Sequence, residues 1–324
     1  MPSSQKQASA RDTIVPAQRG EVSRFASSSH RKPWRFWGGA CFAVVLLAAF
    51  SLPLLELVHY VAGSELYSYI LLVPFVVAYL LHTRRDQLPK KYAAELPLAI
   101  VSFAVGLGVF AFSAWLDFVG RAPTNNDHLA LLTLSFLCCL VAGCFFFLGR
   151  DWVRAAAFPL AYLIFMVPMP DAMADALETA SKYASADVAN VLFHLSGTPF
   201  LRAGNVFQLP NITIEVAQEC SGIRSSWVLL MTSILAANLF LKTSWRRFAL
   251  VAFVIPLAIL RNGFRILVIG LLCVNAGPQM IHSVIHRRGG PVFFVLSLIP
   301  FLLLLRWLRK GEIRVRPVES PSAP

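Results

Sequence analysis

Eight times along this chain the sequence runs through a stretch apolar and long enough to cross, or nearly cross, a hydrocarbon core of roughly 30 Å. The runs lie at about 36–58, 66–81, 96–116, 129–148, 154–169, 221–241, 248–275 and 291–308. At 57% hydrophobic and 14% charged residues, with mean hydropathy +0.63, the chain is too apolar for an ordinary soluble domain. The expectation is an all-α integral membrane protein of about eight transmembrane helices. The second and fifth runs are short for a spanning helix, so one of them is expected to be tilted or only partly inserted, an error of about one in the count.

Charge placement gives a topology. Lys and Arg cluster before the first run (Arg31, Lys32, Arg35) and after the second (Arg84, Arg85, Lys90, Lys91), the fourth (Arg150, Arg154), the sixth (Lys242, Arg246, Arg247) and the eighth (Arg306, Arg309, Lys310, Arg314, Arg316). With eight crossings every cluster falls on one side, which the positive-inside rule makes the cytoplasm. Only Arg121, Lys182, Arg202, Arg287 and Arg288 fall in loops of the other side. The net charge of +12 is therefore spread over loops and span ends, which argues against a nucleic-acid-binding domain. The division expected is a disordered basic cytoplasmic tail at 1–35, a polytopic membrane domain at 36–308 and a basic, Pro-rich cytoplasmic tail at 309–324. A multi-pass protein of the inner (cytoplasmic) membrane with both termini inside follows.

The longest outside segment, 170–219, changes texture partway. Asp171, Asp175, Glu178 and Lys182 share one helical face, and Met173, Leu177, Ala180, Ala184, Val188, Val191 and Leu195 form a broad opposite one. That is a helix on the outer membrane surface, or an ordinary helix packed over the bundle. Beyond Gly197 the stretch "NVFQLPNITIEVA" alternates about a Leu-Pro-Asn turn, the pattern of a short β-hairpin. Such a hairpin would fix the start of the next helix or offer an edge to an extended peptide.

Three stretches carry residues with chemistry. In "EVAQECSGIRSS" Cys220 stands where the outside segment becomes the sixth run, and a helix N-terminus favours the thiolate. Arg224 lies at i+4, where it would add positive charge beside the sulfur or bind substrate. A small cap-forming residue is the plainer alternative for Cys220. Cys41, Cys138, Cys139, Cys144 and Cys273 all lie inside apolar runs, as packing residues would, and no disulfide framework is visible. In "PLAILRNGFRILVIGLL" Arg261, Asn262 and Arg265 interrupt an apolar helix, each arginine at a cost of about 2.5 kcal/mol or more. The two arginines share a face at i, i+4 and point to an interior site in the same half of the membrane as Cys220. In "IHSVIHRRGGPVFF" His282 and His286 repeat that spacing, but the loop has no Asp or Glu, so it is not read as a metal site. Thiol, arginine and imidazole thus reach one level of the membrane from three spans.

Together "VAQECSGIRSS", "PLAILRNGFRI" and "IHRRGGPVFF", in that order, resemble the exosortase and archaeosortase family of membrane cysteine transpeptidases. The early "LYSYILLVPFVVAYLL" is similar to that family's second span, and the resemblance covers about residues 36–308. It implies a Cys-Arg-His site on the extracytoplasmic face, carried over to Cys220, Arg265 and His286. Arg265 holds the arginine place of an Asn-x-x-Arg motif whose asparagine is Asn262, and His286 precedes the glycines and aromatic-rich helix start. Arg261, His282, Arg224, Glu219 and Ser221 are supporting residues in this reading. Arg261 departs from the usual small residue there, which leaves open which arginine is central.

The resemblance further implies exported protein substrates bearing a C-terminal sorting signal, which in bacteria is a PEP-CTERM-like motif, a transmembrane helix and a basic tail. Cys220 would cleave near the motif through a thioester and pass the protein to a surface acceptor that the sequence does not identify. No cofactor or metal is called for, and the partners are the substrate, the acceptor and the lipid bilayer. Two other readings stay open: a transporter or channel with intramembrane arginines, and a protease of the same design that hydrolyses the thioester.

Overall fold

The computed structural model describes residues 33–64, 66–89, 93–121, 123–210, 212–216, 222–277, 279 and 290–314. Glu219, Cys220, Ser221, His282 and His286 lie outside the described residues, as do the greater parts of the two tails. Hydrocarbon offers the backbone no partner, so each apolar run closes its own hydrogen bonds as helix. In chain order these are α1 (Pro33–Ala49), α2 (Ser51–Gly63), α3 (Val73–Thr83), α4 (Leu96–Phe118), α5 (Asn125–Gly143), α6 (Arg150–Ala155), α7 (Ala157–Tyr162), α8 (Asp171–Leu195), α9 (Ile223–Phe240), α10 (Ser244–Ala276) and α11 (Gly290–Arg314). The last extends to Arg314, six residues into the segment expected as a tail.

The chain is a multi-pass membrane protein, although its helices differ from eight uniform spans. Five are long and apolar enough to cross: α4, α5 with its continuation to Leu148, α9, α10 and α11. Seven qualify if two bent pairs count as one span each, namely Trp37–Ala49 with Ser51–Gly63 at 63°, and Ala157–Met166 with Asp171–Leu195 at 88°. The stretch Ser68–Thr83 is apolar but shorter. Proline explains the breaks. Its ring collides with the carbonyl four residues back. Pro53 thereby opposes Ala49, where α1 stops, and Pro159 opposes Ala155, where α6 stops. Pro168 and Pro170 then close the fifth run, and α8 departs from it at the larger bend.

Packing between spans uses small residues, because lipid tails are as apolar as Leu and only close approach distinguishes a neighbouring helix. On α4, a Cβ added at Gly106 would sit 2.9 Å from Cys139 Sγ and 3.1 Å from the Ser135 carbonyl oxygen on α5. Ser135 Oγ donates to the Gly106 carbonyl at 2.8 Å. Cys139 is thus a packing residue of the α4–α5 seam. The outward face of α4, with Ile100, Val101, Val105 and Leu107, is left exposed for lipid. A second core joins α9, α10 and α11 through Leu229, Ala237, Leu250, Val254, Phe301 and Leu305. At the end where α10 begins, the Glu312 carboxylate accepts from the Lys242 and Thr243 backbone N–H groups, placing an anion at a helix N-terminus. Arg246 Nη1 donates there to the Leu308 carbonyl at 3.1 Å, so this arginine ties α10 to α11.

At 33 residues α10 is about 50 Å long and outruns a hydrocarbon core of about 30 Å. Its C-terminal third carries a separate small core. Ile266 and Leu267 pack there with Ala186, Ala189 and Phe193 of α8 and with Phe207, Leu209, Ile214 and Val216. The last four belong to, or directly follow, a three-stranded antiparallel sheet: β1 (Leu201–Ala203), β2 (Val206–Leu209) and β3 (Ile212–Glu215), in spatial order β1-β2-β3. Val206 faces Glu215 and Leu209 faces Ile212. This is one strand more than the expected hairpin. The added strand is joined through Gly204-Asn205, with Gly204 at φ +64°, a two-residue turn that the sequence spells out.

The orientation of α8 combines the two readings offered for it, one face packed on the bundle and the apolar stripe left open. Its apolar stripe does not face the bundle: Met173, Leu177, Val191 and Leu195 are exposed. The buried residues are Ala174, Ser185, Ala186, Ala189 and Phe193 on the other side. That face packs because α10 presents Gly263 and Gly270 to it: a Cβ at Gly270 would lie 2.5 Å from Phe193 Cζ, and one at Gly263 would lie 3.2 Å from the Ala189 nitrogen. The start of α8 is fastened to α5. Asp171 accepts from Thr124 Oγ1 at 2.5 Å and Asn126 Nδ2 at 2.8 Å, and its own N–H donates to Asp127 Oδ1 at 2.9 Å. Asp171→Ala strands two donors, one on the buried Asn126, and is expected to cost about 1–3 kcal/mol, read as a lowered Tm in detergent.

Candidate active site

The α9 helix begins in an unusual way. Its N-cap, Gly222, has φ +68° and ψ 14°, a left-handed conformation open to glycine at little cost. The Gly222 carbonyl is approached by four donors: the Ser226 N–H at 3.0 Å, Ser226 Oγ at 2.8 Å, Ser225 Oγ at 3.0 Å and Arg261 Nη2 at 3.2 Å. Arg261 Nη2 also lies 3.0 Å from Ser226 Oγ, which accepts from it. The turn is clamped from the α10 side too, since a Cβ at Gly222 would stand 3.1 Å from Asn262 Oδ1 and 3.4 Å from Arg261 Nη2.

The polar residues of α10 are therefore interior, as their cost in an apolar helix requires. Arg261 is 7% exposed and Asn262 2%, while Arg265, one turn further along the same face, is half-buried. Arg224 is exposed on the first turn of α9. The helical i, i+4 relation expected between Cys220 and Arg224 needs a helix running through position 222. Gly222 is left-handed and α9, which carries Arg224, starts at Ile223.

The described ends of the three polar stretches meet on one turn of α10. Gly222, of the first stretch, lies against Arg261 and Asn262. On the other side of the 217–221 segment, Val216 is 1% exposed and packs in the same cluster as Ile266 and Leu267, so both anchors of that segment are on α10. From the third stretch, the buried Phe293 of α11 meets Phe264 edge-on, ring centroids 6.2 Å apart. Sequence reasoning did not single out Gly222, Ser225 or Ser226. The paired serines one turn into an apolar helix were the available signal.

Among the described residues no group of three or more His, Cys, Asp or Glu is placed to hold a metal ion. Chemically, the arrangement is a cationic cluster at a helix start: a left-handed turn, two serine hydroxyls, a buried guanidinium and a carboxamide. No curated protein and no solved structure matches this chain. The family model described as transmembrane exosortase matches residues 60–303, about three quarters of the chain and all three polar stretches. The chain belongs to the transmembrane exosortase family.

Proposed function

We propose that this chain is a cysteine transpeptidase that cleaves the C-terminal sorting signal of exported proteins and passes them to a surface acceptor. The observation that carries it is the meeting of the three polar stretches on the Arg261–Arg265 turn of α10. Covalent connectivity keeps the residue two before Gly222 within about 7 Å of it, which brings Cys220 into reach of that turn. In this reading the Cys220 thiolate attacks the amide carbonyl carbon of the signal. A C–S bond forms, the carbonyl π pair moves to oxygen, and Arg265 stabilises the resulting oxyanion. When the pair returns, the C–N bond breaks and His286 gives the leaving amine its proton. The acceptor nucleophile, deprotonated by His286, then attacks the thioester and releases the thiolate.

The substrate signal is a PEP-CTERM-like motif followed by a transmembrane helix and a basic tail, and the site faces the extracytoplasmic side of the inner membrane with both chain termini in the cytoplasm. The exposed apolar stripe of α8 supports contact with the bilayer beside the site. Glu219, Ser221, Arg224, Asn262 and His282 support the reacting groups.

Co-expression with a tagged protein carrying such a signal tests the proposal. Wild type is expected to convert the substrate to a smaller form, and Cys220→Ala to leave it at full size while accumulating normally in the membrane. Equal conversion by both would remove the thiol mechanism. Mass analysis of the new C-terminus separates the two fates of a thioester: an added group shows transfer, a free carboxylate shows hydrolysis.

A further inference from the structure

We propose that Arg261 is a second reacting-site arginine, whose Nη2 holds the Gly222 turn and whose Nη1 donates to the oxygen of the carbonyl attacked at Cys220. The inference rests on the thiol mechanism above and adds a group to it. Arg261 is more than nine-tenths buried, yet its two terminal nitrogens differ in use. Nη2 serves the Gly222 carbonyl and Ser226 Oγ. Nη1 is buried and has no hydrogen-bond partner among the described residues. A buried guanidinium with an unused donor is costly, because desolvation of a charged group is repaid only by partners. Among the described residues the ion pairs do not include Arg261, so no carboxylate there neutralises it.

Holding the turn accounts for Nη2 alone, as one of four donors to the Gly222 carbonyl beside the Ser226 N–H and two serine hydroxyls, and leaves Nη1 unused. What a fixed, dry, cationic donor at a helix start fits is an oxygen that becomes anionic only during reaction. The partial positive charge of the α9 N-terminus adds to it. As the C–S bond forms, the carbonyl π pair localises on oxygen and the Nη1–H donates to it. As the C–N bond breaks, the pair returns. Arg261 keeps its proton throughout, and Arg265, one turn away on the same face of α10, is the other guanidinium assigned to that oxygen.

The test uses purified full-length wild type, R261M, R261K and C220A, with a tagged sorting-signal substrate under single-turnover conditions and alkylation of Cys220 followed by mass spectrometry. R261M keeps side-chain bulk without donors. It is expected to lose about 10²- to 10³-fold in processing rate at saturating substrate, with KM little changed and Cys220 alkylated at the wild-type rate. R261K, which keeps the charge but not the fork, is expected to fall between. Processing by R261M within threefold of wild type would overturn the proposal. So would a loss that tracks altered Cys220 alkylation, since Arg261 would then act only by holding the turn. Should R261M fail to accumulate, the same two criteria applied to R261K decide. Continued processing by C220A would instead remove the thiol mechanism, and this proposal with it.

Discussion

Gly222→Val is expected to give a protein that folds and inserts but processes substrate at least about 10²-fold more slowly than wild type. Two effects act on one residue. A left-handed backbone costs a β-branched residue about 1–2 kcal/mol or more, which drives φ away from +68°. The side chain would also have to enter a space where even a Cβ meets Asn262 Oδ1 at 3.1 Å and Arg261 Nη2 at 3.4 Å. Global stability suffers modestly, because the α9–α10–α11 core through Leu229, Leu250 and Phe301 lies further along the helices. Geometry suffers more. The turn sits two residues after Cys220, and a displacement of about 1 Å between reacting groups is enough to cost about 10²-fold. Near-normal accumulation and a modestly lowered Tm with lost processing is the expected pair of results. Near-normal processing would mean that the thiol does not depend on this turn.

The parts of the fold set by lipid were legible. Expected runs at 96–116, 129–148, 221–241, 248–275 and 291–308 correspond to Leu96–Phe118, Asn125–Leu148, Ile223–Phe240, Ser244–Ala276 and Gly290–Arg314, because backbone self-satisfaction forces apolar length into helix. The breaks inside the first and fifth runs were not read from the sequence, although Pro53 and Pro159 stood at them. Apolar composition continues through a proline while the hydrogen-bond ladder does not. The packed face of α8 was not legible for a different reason. In a membrane protein an apolar stripe can face lipid as readily as protein, and the buried contact was written instead in the small residues Ala186, Ala189, Gly263 and Gly270. At the site, the arginines were visible by their cost in an apolar helix. Their division of labour was not, since only coordinates reveal that Arg261 reaches back to a glycine carbonyl 39 residues away.

Gly149→Ala is expected to do the converse, removing folded protein while sparing the chemistry of whatever survives. Gly149 ends the α5 rod after the wide turn Cys144–Leu148, with φ +89° and ψ 174°. That extended, positive-φ region is essentially restricted to glycine and holds other residues only with strain of about 1–3 kcal/mol. Here strain is joined by collision, because an added Cβ would fall 1.8 Å from the Ala93 carbonyl oxygen. Backbone cannot rotate out of the way as a side chain can. The 93–95 segment is itself held to this turn, the Glu95 N–H donating to the Phe145 carbonyl at 3.2 Å. Relief must therefore come from separating α4 from α5, the pair whose seam depends on Gly106 and Ser135 at van der Waals distance. The loss is on the order of 3 kcal/mol or more, enough to depopulate a marginally stable membrane domain. Detergent-solubilised G149A should show a sharply lower Tm and yield. Its processing rate per folded molecule should match wild type, because Gly149 packs on Ala93 whereas the Arg261 turn packs on Gly222. An unchanged Tm would mean that the 93–95 segment yields without disturbing the helices it joins.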